Sequence, residues 1–238
     1  MKCVGLIGAM EEEVSLLKEE MTDTREQKKA GMVFVKGMLW GVETVAVVSG
    51  IGKVNMAICA QILVDDYNVD IMINTGVAGS LDATIDIGDI VLSKEAQQHD
   101  MDASPLGDPV GVIPRMDTSV FQADAGLLQA AKAACDKVNT DIHCHIGKVL
   151  SGDQFIASAQ KKEYLVETFK GRCAEMEGAA MAQVAYLNRI PFLVIRAISD
   201  KADNSGHEDY SVFAKKAIVH STNLLRQLYQ DQRELWEV

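Results

Sequence analysis

Short apolar runs alternate along this chain with longer stretches in which apolar residues return every three or four positions. The runs are Cys3–Ala9, Val33–Met38, Thr44–Ser49, Ile71–Thr75, Asp89–Ser93, His145–Leu150, Cys173–Met176 and Phe192–Ile198. They are rich in Val and Ile, and several are apolar throughout, as strands covered on both faces tend to be. The helical period falls on Glu11–Met21, Lys53–Tyr67, Ala123–Asn139, Ala159–Phe169, Gly178–Asn188 and Tyr210–Glu234. In the last and longest, Val212, Phe213, Ile218, Val219, Leu224, Leu225 and Leu228 recur at helical spacing. Pro191, just after Asn188-Arg189, separates a helix from the next strand. The alternation predicts an α/β fold with a mostly parallel, twisted sheet. Residues 33–49 interrupt it with a hairpin turning near Trp40-Gly41. No internal repeat, low-complexity segment or linker divides the chain, so one domain is expected over 1–238. The irregular region 99–121 holds three of the four prolines, and loops of that length are usually functional.

Charge narrows the possible partners. The net charge of −11 argues against nucleic acid and anionic membrane, both of which select basic faces. No apolar run approaches the ~18 residues of a membrane span. The apolar start of the chain runs directly into three glutamates instead of a small-residue cleavage site, so a cytoplasmic protein is expected. The five cysteines are scattered and form no Cys-x-x-Cys. Buried free thiols in a reducing compartment are the expectation.

Three apolar segments end in carboxylates: Cys3–Ala9 leads into Glu11-Glu12-Glu13, Cys173-Ala174 into Glu175-Met176-Glu177, and Arg196–Ser199 into Asp200. Charge in such places is costly unless it is paired or used. Ligands of open α/β sheets sit outside the carboxyl ends of the strands. Three acid-tipped strands there suit a neutral or cationic organic group and proton transfer. Negative charge at a helix start accounts for two of the three N-terminal glutamates, so one need face a ligand. Glu175 and Glu177, two apart on an extended segment, point the same way. A helix cap is the structural alternative for Glu177.

Other motifs are weaker. Ser49-Gly50-Ile51-Gly52-Lys53-Val54-Asn55 approaches a dinucleotide fingerprint, but Asn55 replaces the last glycine and the Walker spacing is missing. A tight strand-to-helix turn explains it. Thr75–Ser80 reads as a flexible glycine loop that lets backbone approach a ligand. His143-Cys144-His145 puts two imidazoles on one strand face, but zinc needs further ligands and none lies near, so no metal is expected. His99-Asp100 and His207-Glu208 read as surface or hinge pairs.

Taken in order, Gly8–Val14, Ser49–Lys53, Asn74–Gly79, Gly88–Val91, Ser151–Ile156, Glu175–Glu177 and Arg196–Asp200 resemble the purine nucleoside phosphorylase/hydrolase superfamily. Within it they most resemble the bacterial 5'-methylthioadenosine/S-adenosylhomocysteine nucleosidases, over nearly the whole chain. The resemblance implies a three-layer α/β/α architecture around a mixed, mostly parallel twisted sheet. It implies cleavage of the N-glycosidic bond of adenosine derivatives, no cofactor, a small nucleoside as substrate and a homodimer. It implies that Asp200 protonates adenine N7, Glu13 activates water and Glu177 holds the ribose hydroxyls. Met176 would pack on the ribose, Phe155 would stack on the purine, and the Ile156 backbone would bond its edge. Arg196 and the Thr75–Gly79 loop, with Val77, Ala78 and Gly79, would line the water side. Met10, Ile51, Glu175 and Ser199 complete the implied binding set.

Two departures from the family pattern stand out. Val77 replaces a small hydroxyl residue. Leu106, Asp108 and Val110 stand where relatives carry aromatic residues near the 5'-substituent, so the preferred 5'-group is left open. A phosphorylase of the same fold is disfavoured, because Arg25 is the sole arginine before Gly79 and Glu11–Glu13 would repel phosphate. A non-catalytic nucleoside binder is a further alternative, although Glu13 and Asp200 are both present. A dinucleotide-dependent oxidoreductase has the least support.

Overall fold

The computed structural model describes residues 2–203, 206–231 and 233–236, with side chains except at 206–212, 215, 216 and 233. The side chains of Val212, His207 and Glu208 therefore lie outside the described residues. Ten strands and seven α-helices follow in the order β1 (Val4–Gly8), α1 (Glu11–Glu19), β2 (Met21–Lys29), β3 (Met32–Leu39), β4 (Val42–Val48), α2 (Lys53–Tyr67), β5 (Ile71–Ser80), β6 (Ile90–Gln98), β7 (Val120–Gln122), α3 (Ala125–Val138), β8 (Cys144–Ser151), α4 (Ala159–Phe169), β9 (Cys173–Glu175), α5 (Gly178–Asn188), β10 (Phe192–Asp200), α6 (Gly206–Asp231) and α7 (Arg233–Trp236).

The strands form one mixed sheet whose centre is β5. It pairs in parallel with β1 and β10 and antiparallel with β9. β4 runs parallel to β1, and β3 and β2 extend that side antiparallel to the edge. On the other side β10 pairs antiparallel with β6, which runs parallel to β8, and β8 parallel to β9. Side chains alternate between the two faces of each strand. Ile7 packs in the cluster that includes Met56 and Cys59 of α2 and Met181 of α5. Its neighbour Leu6 packs in the cluster with Leu17 of α1, Leu127 of α3 and Leu224 of α6. Helices thus cover both faces. That is why β1 is buried at every position and its sequence is apolar without interruption.

The hairpin expected at Trp40-Gly41 is present. Trp40 and Gly41 both take positive φ, 48° and 88°, the pair of conformations a tight two-residue hairpin turn requires. Two strands carry no hydrophobic pattern. β2 is a sheet edge whose residues after Met21 are all exposed, so backbone pairing with β3 forms it without an apolar face. β7 is three residues long, too short for a period to register. The segment Thr75–Ser80, read as a loop, instead continues β5, where Gly79 and Ser80 pair with Ala174 and Cys173. The mixed pairing of β5 needs this extension, and nothing local to the segment encodes it. Leu106 lies in a single 3-10 turn, Ser104–Leu106, and is 84% exposed.

Candidate active site

A cavity of about 440 Å³ opens at the carboxyl ends of β1, β9 and β10 and along the last residues of β5. Its wall includes Glu13, Glu177 and Asp200, which are 6%, 7% and 2% exposed. Residues near the two ends of the chain therefore border one space. Met10, Ile51, Val77, Ala78, Gly79, Phe155, Glu175, Met176 and Ser199 line the same wall. Ile156 borders a small recess shared with Phe155 and Asp200. Phe155 is half exposed at the mouth.

Glu13 sits in the first turn of α1, where Glu11 and Glu12 face solvent and only Glu13 turns inward. Its Oε2 accepts from the Ala9 and Met10 amides at 2.7 and 3.1 Å, and its Oε1 from the Val77 amide at 3.1 Å. Burial raises its pKa above the usual carboxylate range, while the Arg196 charge and these amides oppose the rise. The carboxylate fits because residue 76 is glycine. A Cβ there would stand 2.6 Å from Glu13 Oε1. Gly79 makes the same allowance for Asp200, whose Oδ1 would lie 2.6 Å from an added Cβ. Asp200 Oδ1 accepts from the Ala202 amide at 2.8 Å and Oδ2 from the Ser199 hydroxyl at 2.9 Å.

Glu177 does not cap α5 with its side chain. Its Oε1 accepts from the Gly52 amide at 2.8 Å, and Glu175 Oε2 takes the helix amides of Glu177 and Gly178 at 3.0 and 2.7 Å. The chain turns after β9, and the two carboxylates take different backbone partners while both line the cavity. Glu175 also pairs with Arg196 and accepts from Ser151 Oγ. Arg196 corrects the expectation for the water side. It is 1% exposed, lies behind the cavity wall, and donates to the backbone oxygens of Asn74 and Ile195 at 3.3 and 3.0 Å and to the Asn74 side chain. There it is the buried counter-charge for Glu175, Glu13 and Glu177. A guanidinium among three carboxylates is stabilised further where carbonyl oxygens accept from it, and Asn74 of β5 and Ile195 of β10 supply them.

Sequence reasoning missed Ala9 and Ala174 on the wall, since small apolar residues in apolar runs carry no signal. It also passed over Asn74 as a support for Arg196, although a lone amide inside Ile71–Ile73-Asn74 was a legible anomaly. His99 is 1% exposed and so is not a surface residue. Gly50 and Gly52 make the expected tight turn with φ of +84° and +98°, and the Gly52 amide is directed at Glu177.

Glu177 is the clearest source of pH dependence. Burial first, then the Glu175 charge, push its pKa up to about 7. The folded chain therefore binds this proton more tightly than the unfolded chain, and stability falls as pH rises from the usual carboxylate value through about 7. Glu177→Gln keeps an acceptor for the Gly52 amide and removes the charge. Its melting temperature is expected to exceed the wild-type value by a margin that widens from pH 5 to pH 8. Thermal unfolding at both pH values checks this, and a margin that narrows would contradict the assigned environment.

Residues 4–230 match the family model described as the phosphorylase superfamily. The 5'-methylthioadenosine/S-adenosylhomocysteine nucleosidase of Staphylococcus aureus is 37% identical over 94% of this chain and 98% of its own length. The chain belongs to this nucleosidase family. Its fold superposes on the Neisseria meningitidis nucleosidase in complex with methylthio-immucillin-A with a TM-score of 0.92 and 33% identity, over 97% of this chain and 99% of that one. The Colwellia psychrerythraea nucleosidase in complex with adenine gives 0.92 and 36%, over 96% and 95%. A futalosine hydrolase of Helicobacter pylori is similar as well, at 0.91 and 32%, over 97% and 98%.

Proposed function

We propose that this nucleosidase hydrolyses the N-glycosidic bond of 5'-methylthioadenosine and S-adenosylhomocysteine, releasing adenine and the 5-substituted ribose. The observation that carries the reading is the convergence of four buried carboxylates, Glu13, Glu175, Glu177 and Asp200, on one cavity whose wall holds no lysine or arginine among the described residues. Breaking the bond builds positive charge on the sugar, which carboxylates stabilise electrostatically. One acid serves the leaving group and one base the water. Asp200 protonates N7, Glu13 takes the proton of water, and Glu177 holds the ribose hydroxyls. Met176 packs on the sugar, Phe155 stacks on the purine, and the Ile156 backbone meets its edge. Phosphate as acceptor is disfavoured, because a dianion needs cationic donors and Arg196 is turned into the protein interior.

A futalosine-type substrate is the second reading, favoured by the similarity to the Helicobacter pylori hydrolase. The non-aromatic Leu106 and Asp108 leave the 5'-group open in the same direction. Ile51, Val54, Ile58 and Leu187 expose apolar surface around α2 and α5, and a homodimer formed there would cover it. Action in the cytoplasm accords with the five unbridged cysteines.

Incubation with 5'-methylthioadenosine, S-adenosylhomocysteine, 5'-deoxyadenosine, aminofutalosine and inosine, with and without phosphate, tests the reading. Free adenine from the first two, unchanged by phosphate, is expected. Release from inosine alone, or a phosphate-dependent sugar phosphate, would overturn it.

A further inference from the structure

Three residues outside the cavity wall tie together the loops that build it. Lys53 Nζ donates to Asp100 Oδ1 at 2.6 Å and to Gln98 Oε1 at 2.9 Å. Asp100 Oδ2 accepts from the Asp153 amide at 2.9 Å. Asp153 Oδ1 accepts from the Lys53 amide at 2.8 Å, which closes a ring. Gln98 Nε2 donates onward to Gln183 Oε1 of α5 at 2.6 Å. The Lys53 and Asp100 side chains are 18% and 14% exposed, so solvent screens their pairing less than at an open surface. Burial alone would raise the Asp100 pKa, but Lys53 and the Asp153 amide hold it below the usual carboxylate range.

Each end of the ring adjoins the cavity. Lys53 follows Ile51-Gly52, and the Gly52 amide holds Glu177. Asp153 precedes Gln154-Phe155, whose ring stands at the mouth. Asp100 lines neither wall and bridges the two. Beneath it, His99 packs against Gly152, where an added Cβ would stand 2.4 Å from the ring. Neither His99 ring nitrogen has a hydrogen-bond partner among the described residues. Burial lowers the His99 pKa, so the ring is a neutral spacer under the Gly152 backbone.

The geometry points to a positioning clamp: Lys53, Asp100 and Asp153 set the separation between the Ile51 and Phe155 walls and seat the Gly52 amide on Glu177, and so govern nucleoside affinity. The inference rests on the nucleosidase reading. Glu13 and Asp200 are held by other contacts, to Ala9, Met10 and Val77 and to Ser199 and Ala202. The clamp therefore acts on binding more than on the proton transfers.

The test compares Asp100→Asn, Lys53→Met and Lys53→Arg by steady-state kinetics, adenine calorimetry and thermal unfolding. Asp100→Asn and Lys53→Met are expected to raise KM and the adenine Kd about tenfold, a loss of about 1.4 kcal/mol of binding, while kcat stays within about threefold. Lys53→Arg keeps a cationic donor and should recover most of the affinity. The Lys53→Met/Asp100→Asn double variant should be no weaker than either single one. If Asp100→Asn does not fold, the Lys53→Met and Lys53→Arg pair decides. Wild-type KM and adenine Kd in Lys53→Met, loss confined to kcat, or equal losses in Lys53→Met and Lys53→Arg overturn the clamp. Wild-type protein that binds adenine but frees none from nucleosides refutes the nucleosidase reading alone.

Discussion

Asp200→Asn is expected to lower kcat for adenine release by about 10³-fold, within the range that removal of a general acid produces. The asparagine is nearly isosteric. Its amide oxygen can accept from the Ala202 amide and its NH₂ can donate to Ser199 Oγ, so the contacts to those two residues are kept. What it cannot do is deliver a proton to N7, so adenine must leave as an anion. The variant should unfold near the wild-type temperature. A riboside with a 4-nitrophenolate leaving group needs no protonation, so its hydrolysis should fall much less than that of 5'-methylthioadenosine. Equal losses on both substrates, or kcat for adenine release within tenfold of wild type, would refute the acid assignment.

Glu13→Gln is expected to cost about 10²- to 10⁴-fold in kcat, the range for removing a general base, with the adenine Kd changed little. Both oxygens of Glu13 face amide donors, from Ala9 and Met10 on one side and Val77 on the other. A glutamine must turn its NH₂ against one of these donors, so the variant loses the base and a hydrogen bond together. Adenine itself does not need the water, so calorimetry with the free base separates the two effects. In the wild-type enzyme Glu13 must be ionised to accept the proton. Burial raises its pKa, so the acid limb of the kcat profile should lie above the range of a free glutamate. That limb belongs to the buried carboxylates jointly, because Glu177 titrates in the same cavity. An acid limb at the free-glutamate value, or a profile identical in Glu13→Gln, would refute the base assignment.

The legibility of this chain differs from residue to residue for physical reasons. Glu13, Glu177 and Asp200 were visible because a carboxylate at the end of an apolar run is improbable without a use. Arg196 was visible for the same reason, but its direction was not. A strand position has two faces, and contacts from Asn74 and Glu175 decide which is tolerable for the guanidinium. Glu175 and Glu177 both line the cavity, but the turn after β9, which the sequence did not show, lets Glu175 also reach the amides that open α5. β2 was illegible since an exposed edge strand needs no apolar face.

The sequence by itself determined the alternation of covered strands and helices, the turn at Trp40-Gly41 and the identity of the acidic groups. Hydrophobic period, turn conformation and charge within an apolar run are local properties. Only the tertiary structure decided which glutamate faces the cavity, that Arg196 lies behind its wall, and that Lys53, Asp100 and Asp153 form a ring. Those outcomes depend on pairing between residues 47 to 100 positions apart in the ring. They also depend on glycines whose missing Cβ atoms make room for side chains brought there by the fold.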